Sequence, residues 1–286
     1  MPIYDITVRT QTSAIRLSES DGRGMPIVLI HGSGASRTVF AKQLASPLSR
    51  SHRMLALDLP GHGESTNARH PAEDYTIPAL ARTVDEVLAA RDIERAVVFG
   101  WSLGGHVAIE LMATNPLVAG LMVAGAPPIP PGPLGLLRGF KTNIDLLLAT
   151  KEQFSEREAL RFYELCYHGH GDGAFLEAIR RADGRVRTAV SRSLLRGEGV
   201  DQKRAVEQAS VPIAMVNGEA EPVARLNYIA ALDYRTLWGN TCHVIPNAGH
   251  APFWDQPDTF NRLLAQFAAD VADNRVAEPA VLRKSA

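Results

Sequence analysis

Eight short apolar segments recur along the chain, ITVRT, AIRLS, PIVLIH, RMLALDL, RAVVFG, GLMVAG, PIAMVNG and CHVIPN, and most are separated by stretches with helical spacing. In TIPALARTVDEVLAARDI the residues Ile77, Leu80, Ala81, Val84, Val87 and Leu88 fall three and four apart, and LGGHVAIELMATN repeats the manner after RAVVFG. Continuously apolar strands that alternate with helices call for an α/β fold, a mostly parallel central sheet with helices on both faces. The first two strands fit an antiparallel hairpin at its edge. Hydrophobic residues make up 45% of the 286, enough material for the large core such a sheet requires.

The alternation stops between about Pro127 and Pro212. There AGAPPIPPGPLG leads into a region with helical signals and no convincing strand. Within it, Ser155 and Glu158 have capping-box spacing ahead of ALRFYELCYHG, and Gly169 is placed to end that helix. The expected organisation is a core of residues 1–127 and 212–274, an inserted helical cap of residues 128–211, and a tail of residues 275–286. No repeat or low-complexity tract interrupts it.

Charge narrows the partners. With 30 basic and 31 acidic residues the formal net charge is −1, which offers neither nucleic acid nor an anionic membrane a general attraction. Arg180, Arg181, Arg185, Arg187, Arg192 and Arg196, interleaved with Glu177, Asp183 and Glu198, read as the solvated face of one or two helices. MPIYDITVRT lacks the pattern of a secretion signal, and no run approaches the ~18 apolar residues of a membrane span. Two cysteines, Cys166 and Cys242, in such a chain are expected to be free thiols in a reducing cytoplasm. The expected partner is a small-molecule substrate, and the sequence sets no oligomeric state.

The stretch VVFGWSLGGHVAIE carries the chemistry. A serine between strand and helix can be a simple N-cap. Here, however, Gly100-Trp101-Ser102-Leu103-Gly104 is the G-x-S-x-G nucleophile elbow in its strand-turn-helix context, with glycines where a Cβ would crowd neighbouring backbone. Serine is a poor nucleophile without a base, and the base needs a carboxylate to hold its tautomer. In this arrangement the order along the chain is Ser, acid, His. His250, in a loop after the last strand and ahead of a final helix beginning near Gln256, is the candidate base. His106, His243, His168 and His170 lie on a helix, in a strand and in the insert. For the acid, PIAMVNG runs into Glu219-Ala220-Glu221-Pro222, and both carboxylates compete. An oxyanion needs two backbone N–H donors. Leu103 supplies one, and His31-Gly32-Ser33-Gly34 matches an oxyanion loop whose Ser33 N–H supplies the other, with His31 bracing the turn. Asp58-Leu59-Pro60-Gly61-His62-Gly63-Glu64-Ser65 is a structural turn.

HGSG, DLPGHGES, GWSLGG, NGEAEP and NAGHAPF, in this order, resemble the α/β-hydrolase superfamily. More narrowly, VVFGWSLGGHVAIE, LDLPGHGEST, VNGEAEP and HVIPNAGHAPF are similar to the α/β-hydrolase type of N-acylhomoserine lactonase, the quorum-quenching enzymes that open the lactone ring of bacterial signal molecules. The likeness runs through nearly the whole chain, FSERE in the insert included. It implies the α/β-hydrolase fold and, because such hydrolases commonly carry Gly-x-x-Asp after this strand, places the acid at Glu221, a departure from the commoner aspartate. It also implies a two-step acyl transfer. Ser102 attacks the lactone carbonyl with His250 as base, Glu221 steadies the imidazolium, and the N–H groups of Ser33 and Leu103 hold the oxyanion.

No metal or organic cofactor is required. Tyr167-His168-Gly169-His170-Gly171-Asp172-Gly173 is close to the HxHxDH zinc motif of metal-dependent lactonases, but Gly173 stands where the final histidine belongs. For substrate binding, Trp101, Tyr163 and Gly32 are the expected contacts. Leu134, Leu136, Leu137, Phe140, Ile144, Leu147, Leu148, Phe154, Leu160, Phe162 and Leu165 form apolar stripes that dock the cap or house an acyl tail. A general carboxylesterase or a hydrolase of activated carbon–carbon bonds would use the same machinery. From another class, a small-molecule receptor can share the fold.

Overall fold

A parallel strand buried on both faces has no polar side to present, and the sequence from Ala96 onward obeys that constraint. Ala96–Trp101, Val118–Ala124 and Ile213–Gly218 are buried at every position. The computed structural model describes residues 2–274. All eight apolar segments form strands: β1 Ile3–Arg9, β2 Ala14–Ser20, β3 Gly24–Ile30, β4 His52–Leu57, β5 Ala96–Trp101, β6 Val118–Ala124, β7 Ile213–Gly218 and β8 His243–Ile245. They make one sheet in the order β1-β2-β4-β3-β5-β6-β7-β8. β1 and β2 are antiparallel to each other, as is β2 to β4, and the remaining pairings are parallel.

Alternate residues of each strand serve opposite faces. Val98 and Ile30 join one core with Leu80 and Val84 of the helix Ile77–Ala90 and Val107 of the helix Leu103–Thr114. Val97 and Phe99 join the other, with Phe40 and with Phe260, Leu264 and Phe267 of the helix Pro257–Ala272. The loop before that last helix makes one extra turn, Pro252–Asp255, so Gln256 stands at its N-cap position. Among the described residues no helix is long and apolar enough to cross a membrane.

Between β6 and β7 of this α/β-hydrolase fold the chain is helical, in the region where the cap is expected. Ser155 opens the helix Glu156–Tyr167 with a full capping box: its hydroxyl accepts from Glu158 N at 3.4 Å and its own N–H donates to the Glu158 carboxylate at 2.9 Å. That helix ends one residue earlier than Gly169 suggests, because His168 itself takes the left-handed conformation at φ 50°. The expected tail, residues 275–286, lies outside the described residues.

One expectation is corrected here. Arg180, Arg185 and Arg196 do pair with acidic neighbours near the surface, but Arg187 is only 4% exposed. In the helix Arg185–Arg196, residues 187, 190, 191 and 194 share one side through three-and-four spacing, and that side faces inward. Surface charge patterning does not reveal which arginine a helix turns toward its core.

Candidate active site

The sheet order puts the C-terminal ends of β3, β5, β6 and β7 side by side, with a reversal of winding between β3 and β5. Crevices at such switch points are where open α/β sheets hold ligands. Each strand here ends in one part of the site.

After β5 the chain turns at Ser102, which sits at φ 54° and ψ −118°, a conformation that costs a non-glycine residue on the order of 1–3 kcal/mol. The surroundings enforce it. A Cβ on Gly100 would stand 2.2 Å from the Gly104 carbonyl oxygen, and one on Gly104 would stand 2.2 Å from that of Ile30. Only glycine at both places lets strand, elbow and helix close this tightly. The serine N–H is spent on the Ala124 carbonyl at 2.8 Å, and its hydroxyl makes no capping bond to the helix Leu103–Thr114. The N-cap explanation of this serine therefore fails on geometry.

After β7 the carboxylate of Glu221 is fully buried, and both its oxygens lie 2.9 Å from His250 Nδ1. Oε1 also accepts the backbone N–H groups of Val223 and Ala224 at 2.6 and 3.1 Å. Burial on its own raises the acid's pKa. The facing His250 and the hydrogen bonds outweigh it, and Glu221 is held below the ordinary glutamate value. With the Nδ1 proton directed at Glu221, Nε2 carries the lone pair a base needs. Glu219 is exposed, and its Oε2 accepts the Asn247 N–H at 3.4 Å. The acid loop is clamped to the cap: Phe140 and Ala224 form an antiparallel bridge, and Lys141 Nζ donates to the Glu221 carbonyl at 2.6 Å.

After β3 the loop His31–Gly34 passes directly over the elbow, since a Cβ on Gly32 would lie 3.1 Å from Ser102 Cβ. Gly32 thus permits a close backbone approach. His31 braces the turn, with Nδ1 donating to the Gly32 carbonyl at 2.8 Å and Nε2 accepting Leu59 N–H at 3.0 Å; burial lowers its pKa to about 4. Asp58 ties the neighbouring loops by pairing with Arg37 Nη1 at 2.5 Å and accepting from Glu64 N–H at 2.9 Å.

Ser102, Leu103, Ser33 and His250 line one cavity of about 390 Å³. Its walls are mostly apolar and come largely from the cap, with Leu136, Phe140, Leu147, Phe162 and Leu165 among them. Leu148 is buried, whereas Leu134, Leu137, Ile144 and Leu160 of the same stripes face outward. Trp101 and Tyr163 are not among the lining residues. Trp101 is buried beneath the site, its indole N–H donating to the His250 carbonyl at 2.7 Å. Tyr163 gives its hydroxyl to the Gly171 carbonyl at 2.6 Å.

Three features escaped sequence reasoning. Gly125, at φ 65°, lies so close to His250 that a Cβ there would meet the ring at 2.5 Å, and its N–H is held by the Asn217 side chain at 2.8 Å. Arg187 lines the cavity, its guanidinium over the Phe154 ring at 3.9 Å. Burial lowers its pKa to about 10. Cys166, also in the wall, is a free thiol whose pKa burial pushes up. A single glycine after GLMVA was the one available signal for the Gly125 contact.

The segment His168–Gly173 is occupied with turn geometry. The Asp172 side chain accepts from Ala174 N–H at 2.9 Å, the His170 carbonyl accepts from Trp254 Nε1 at 2.9 Å, and His168 packs over Gly249. Among the described residues no cluster of three or more His, Cys, Asp or Glu is placed to hold a metal.

The chain is similar to solved structures of the N-acyl homoserine lactonase AidH. One of these, a complex with N-butanoyl homoserine, is 38% identical, covers 94% of this chain and 97% of that one, and has a TM-score of 0.91. A mutant of that lactonase complexed with N-hexanoyl homoserine lactone is 37% identical over 94% of this chain and 99% of that one, again with a TM-score of 0.91. Among curated proteins, the pimeloyl-(acyl-carrier protein) methyl ester esterase of Xanthomonas axonopodis pv. citri (strain 306) is 31% identical, covering 87% of this chain and 97% of its own length. Residues 27–263, from within β3 to within the last helix, match the model of the Alpha/beta hydrolase family. On that match and these likenesses, the chain belongs to the alpha/beta hydrolase family.

Proposed function

We propose that the protein is a serine hydrolase that opens the lactone ring of N-acylhomoserine lactones through an acyl-enzyme. The observation that carries the reading is His250, buried against Glu221, lining one cavity with the strained Ser102 elbow under a wall of apolar cap side chains. In the first step Ser102 Oγ attacks the lactone carbonyl while His250 Nε2 takes its proton. Glu221 stabilises the imidazolium, and the N–H groups of Leu103 and Ser33 receive the oxyanion. Collapse breaks the ring C–O bond, and His250 protonates the departing alkoxide. That alkoxide stays tethered to the acyl group and re-closes the ring unless it is protonated and moved aside. Water activated by His250 then releases the open acid. The cap, residues 128–211, shelters the acyl tail, while Trp101 fixes the backbone at His250 and Gly32 lets the oxyanion loop approach the nucleophile.

The likeness to the AidH complexes favours the lactone. The esterase relative keeps a second reading open, hydrolysis of a linear ester by the same residues. Incubation with acylhomoserine lactones of graded chain length, with products resolved by mass, decides between them. The expected product is the intact N-acylhomoserine, one water heavier than the substrate, and acidification after enzyme removal re-closes part of it. Sustained turnover of linear esters with no lactone opening would move the function to the esterase. Free fatty acid and homoserine lactone would show amide cleavage instead.

A further inference from the structure

Two buried polar atoms in the cavity wall have no partner among the described residues: the Ser33 hydroxyl and Arg187 Nη1. Two other polar groups of the wall are engaged, Thr150 with the Leu147 carbonyl and His106 with Gln202. Arg187 is held rigidly. Its Nε donates to the Lys151 carbonyl at 2.6 Å and its Nη2 to the Glu152 carbonyl at 2.7 Å, with the Phe154 ring against its plane. Its helix packs toward the oxyanion loop: a Cβ on Gly61 would meet Val186 at 3.0 Å and Asp183 at 3.1 Å, and the ring of His62, the next residue, lies 5.0 Å from that of His31, two residues before Ser33.

A buried donor left unpaired is costly, the more so when charged, so a site that keeps one is built for an acceptor that arrives with the ligand. A carboxylate or phosphate is matched by two parallel donors of the guanidinium fork. Here two of the three nitrogens are already bonded to backbone. One remains, which suits a single neutral oxygen. We propose that Arg187 Nη1, assisted by the Ser33 hydroxyl, binds a second carbonyl oxygen carried by the acyl part of the substrate, and so selects amide-bearing or keto-bearing acyl groups over plain alkyl ones. This rests on reading the site as an acyl hydrolase, but not on the lactone.

The test compares kcat/KM for two phenyl esters of matched chain length, phenyl N-butanoylglycinate and phenyl heptanoate. The first places an amide carbonyl at the separation from the scissile carbonyl found in an N-acylhomoserine lactone; the second has methylenes there. The unaltered protein is expected to prefer the amide ester. Arg187→Met should reduce that preference roughly ten- to a hundred-fold, the weight of one hydrogen bond to a charged donor, and Ser33→Ala roughly two- to ten-fold. An equal proportional loss on both esters in Arg187→Met overturns the proposal, since it would mean that the guanidinium only holds the Lys151 and Glu152 carbonyls. Should Arg187→Met not fold, the unaltered protein and Ser33→Ala decide: a preference under about three-fold, or one untouched by Ser33→Ala, also overturns it. Neither ester contains a lactone, so failure to open acylhomoserine lactones leaves this comparison intact, while absence of turnover of both esters removes the hydrolase reading and the proposal together.

Discussion

Ser102 holds a backbone conformation that a non-glycine residue adopts only under constraint, and the constraint comes from Gly100 and Gly104, not from the serine itself. Removing the hydroxyl should therefore leave the elbow standing. Ser102→Ala is expected to keep the circular dichroism of the parent protein while kcat falls by several orders of magnitude, the usual consequence of losing a triad nucleophile. Retention of more than about a tenth of the activity would exclude Ser102 as nucleophile. The two glutamates differ by similar logic. Glu221 is buried against His250, whereas Glu219 is exposed and reaches only the Asn247 N–H. Glu221→Gln preserves shape and removes the charge that favours imidazolium, so kcat should drop by about 10² to 10⁴, and Glu219→Gln should stay within about three-fold. The opposite ranking would assign the acid to Glu219. Burial raises the pKa of Glu221, but the larger combined pull of His250 and the backbone donors keeps it a carboxylate through the neutral range. A loss of activity on mild acidification is then not caused by protonation of this acid.

Among the elements, the strands and the capped helices could be read directly, because their causes are local. β5, β6 and β7 are apolar at almost every position since both faces are covered, and Ser155 with Glu158 closes its helix end within one turn. The inward turn of Arg187 had no such cause. An arginine three residues before Val190 and seven before Leu194 belongs to an apolar stripe by spacing, yet its charge reads as surface. Trp101 is another case. Its neighbourhood to the nucleophile suggests a substrate contact, whereas the alternation of β5 sends the side chain to the face opposite Val98, under His250. The segment from His168 to Gly173 shows the reverse, a motif-like string whose side chains serve turn and cap. Overnight treatment with excess EDTA, followed by desalting, is expected to leave kcat within about 20% of its starting value, because each proposed step is filled by a protein group. Loss that zinc restores would return His168, His170 and Asp172 to consideration as ligands.

For the whole molecule, the order of the sheet is what assembles the site, since the oxyanion loop, the elbow, Gly125 and Glu221 follow β3, β5, β6 and β7, four neighbours in space. Motifs in the sequence identify three of these points; the strand order joining them depends on pairings between distant segments, which leave no local trace. The same convergence buries histidines that are not proposed to react. His31 and His62 pack edge to face at 5.0 Å below the oxyanion loop. Burial, first of all, lowers their pKa values to about 4 and about 3; for His62 the nearby His31 adds to it. His106 and His243 are lowered in the same sense, again by burial. An unfolded chain binds the His31 and His62 protons near pH 6.5, the folded chain only near pH 4 and below, so between those limits the unfolded state holds more protons. Stability must then rise with pH across that window and be lost as pH falls from about 6.5 toward 4. The carboxylates held below their usual values, Glu221, Asp5 and Asp183 among them, also favour the folded state but lose that contribution only at lower pH, near and below the ordinary carboxylate range. Urea unfolding at pH 7 and pH 5 separates the two sets. His31 and His62 together should cost about 3–4 kcal/mol of unfolding free energy over that interval, at about 1.4 kcal/mol per unit for each histidine once the unfolded state is protonated. A change smaller than about 1 kcal/mol would mean that these imidazoles take up protons in the folded protein, and that the loop they support is more open to water than its packing indicates.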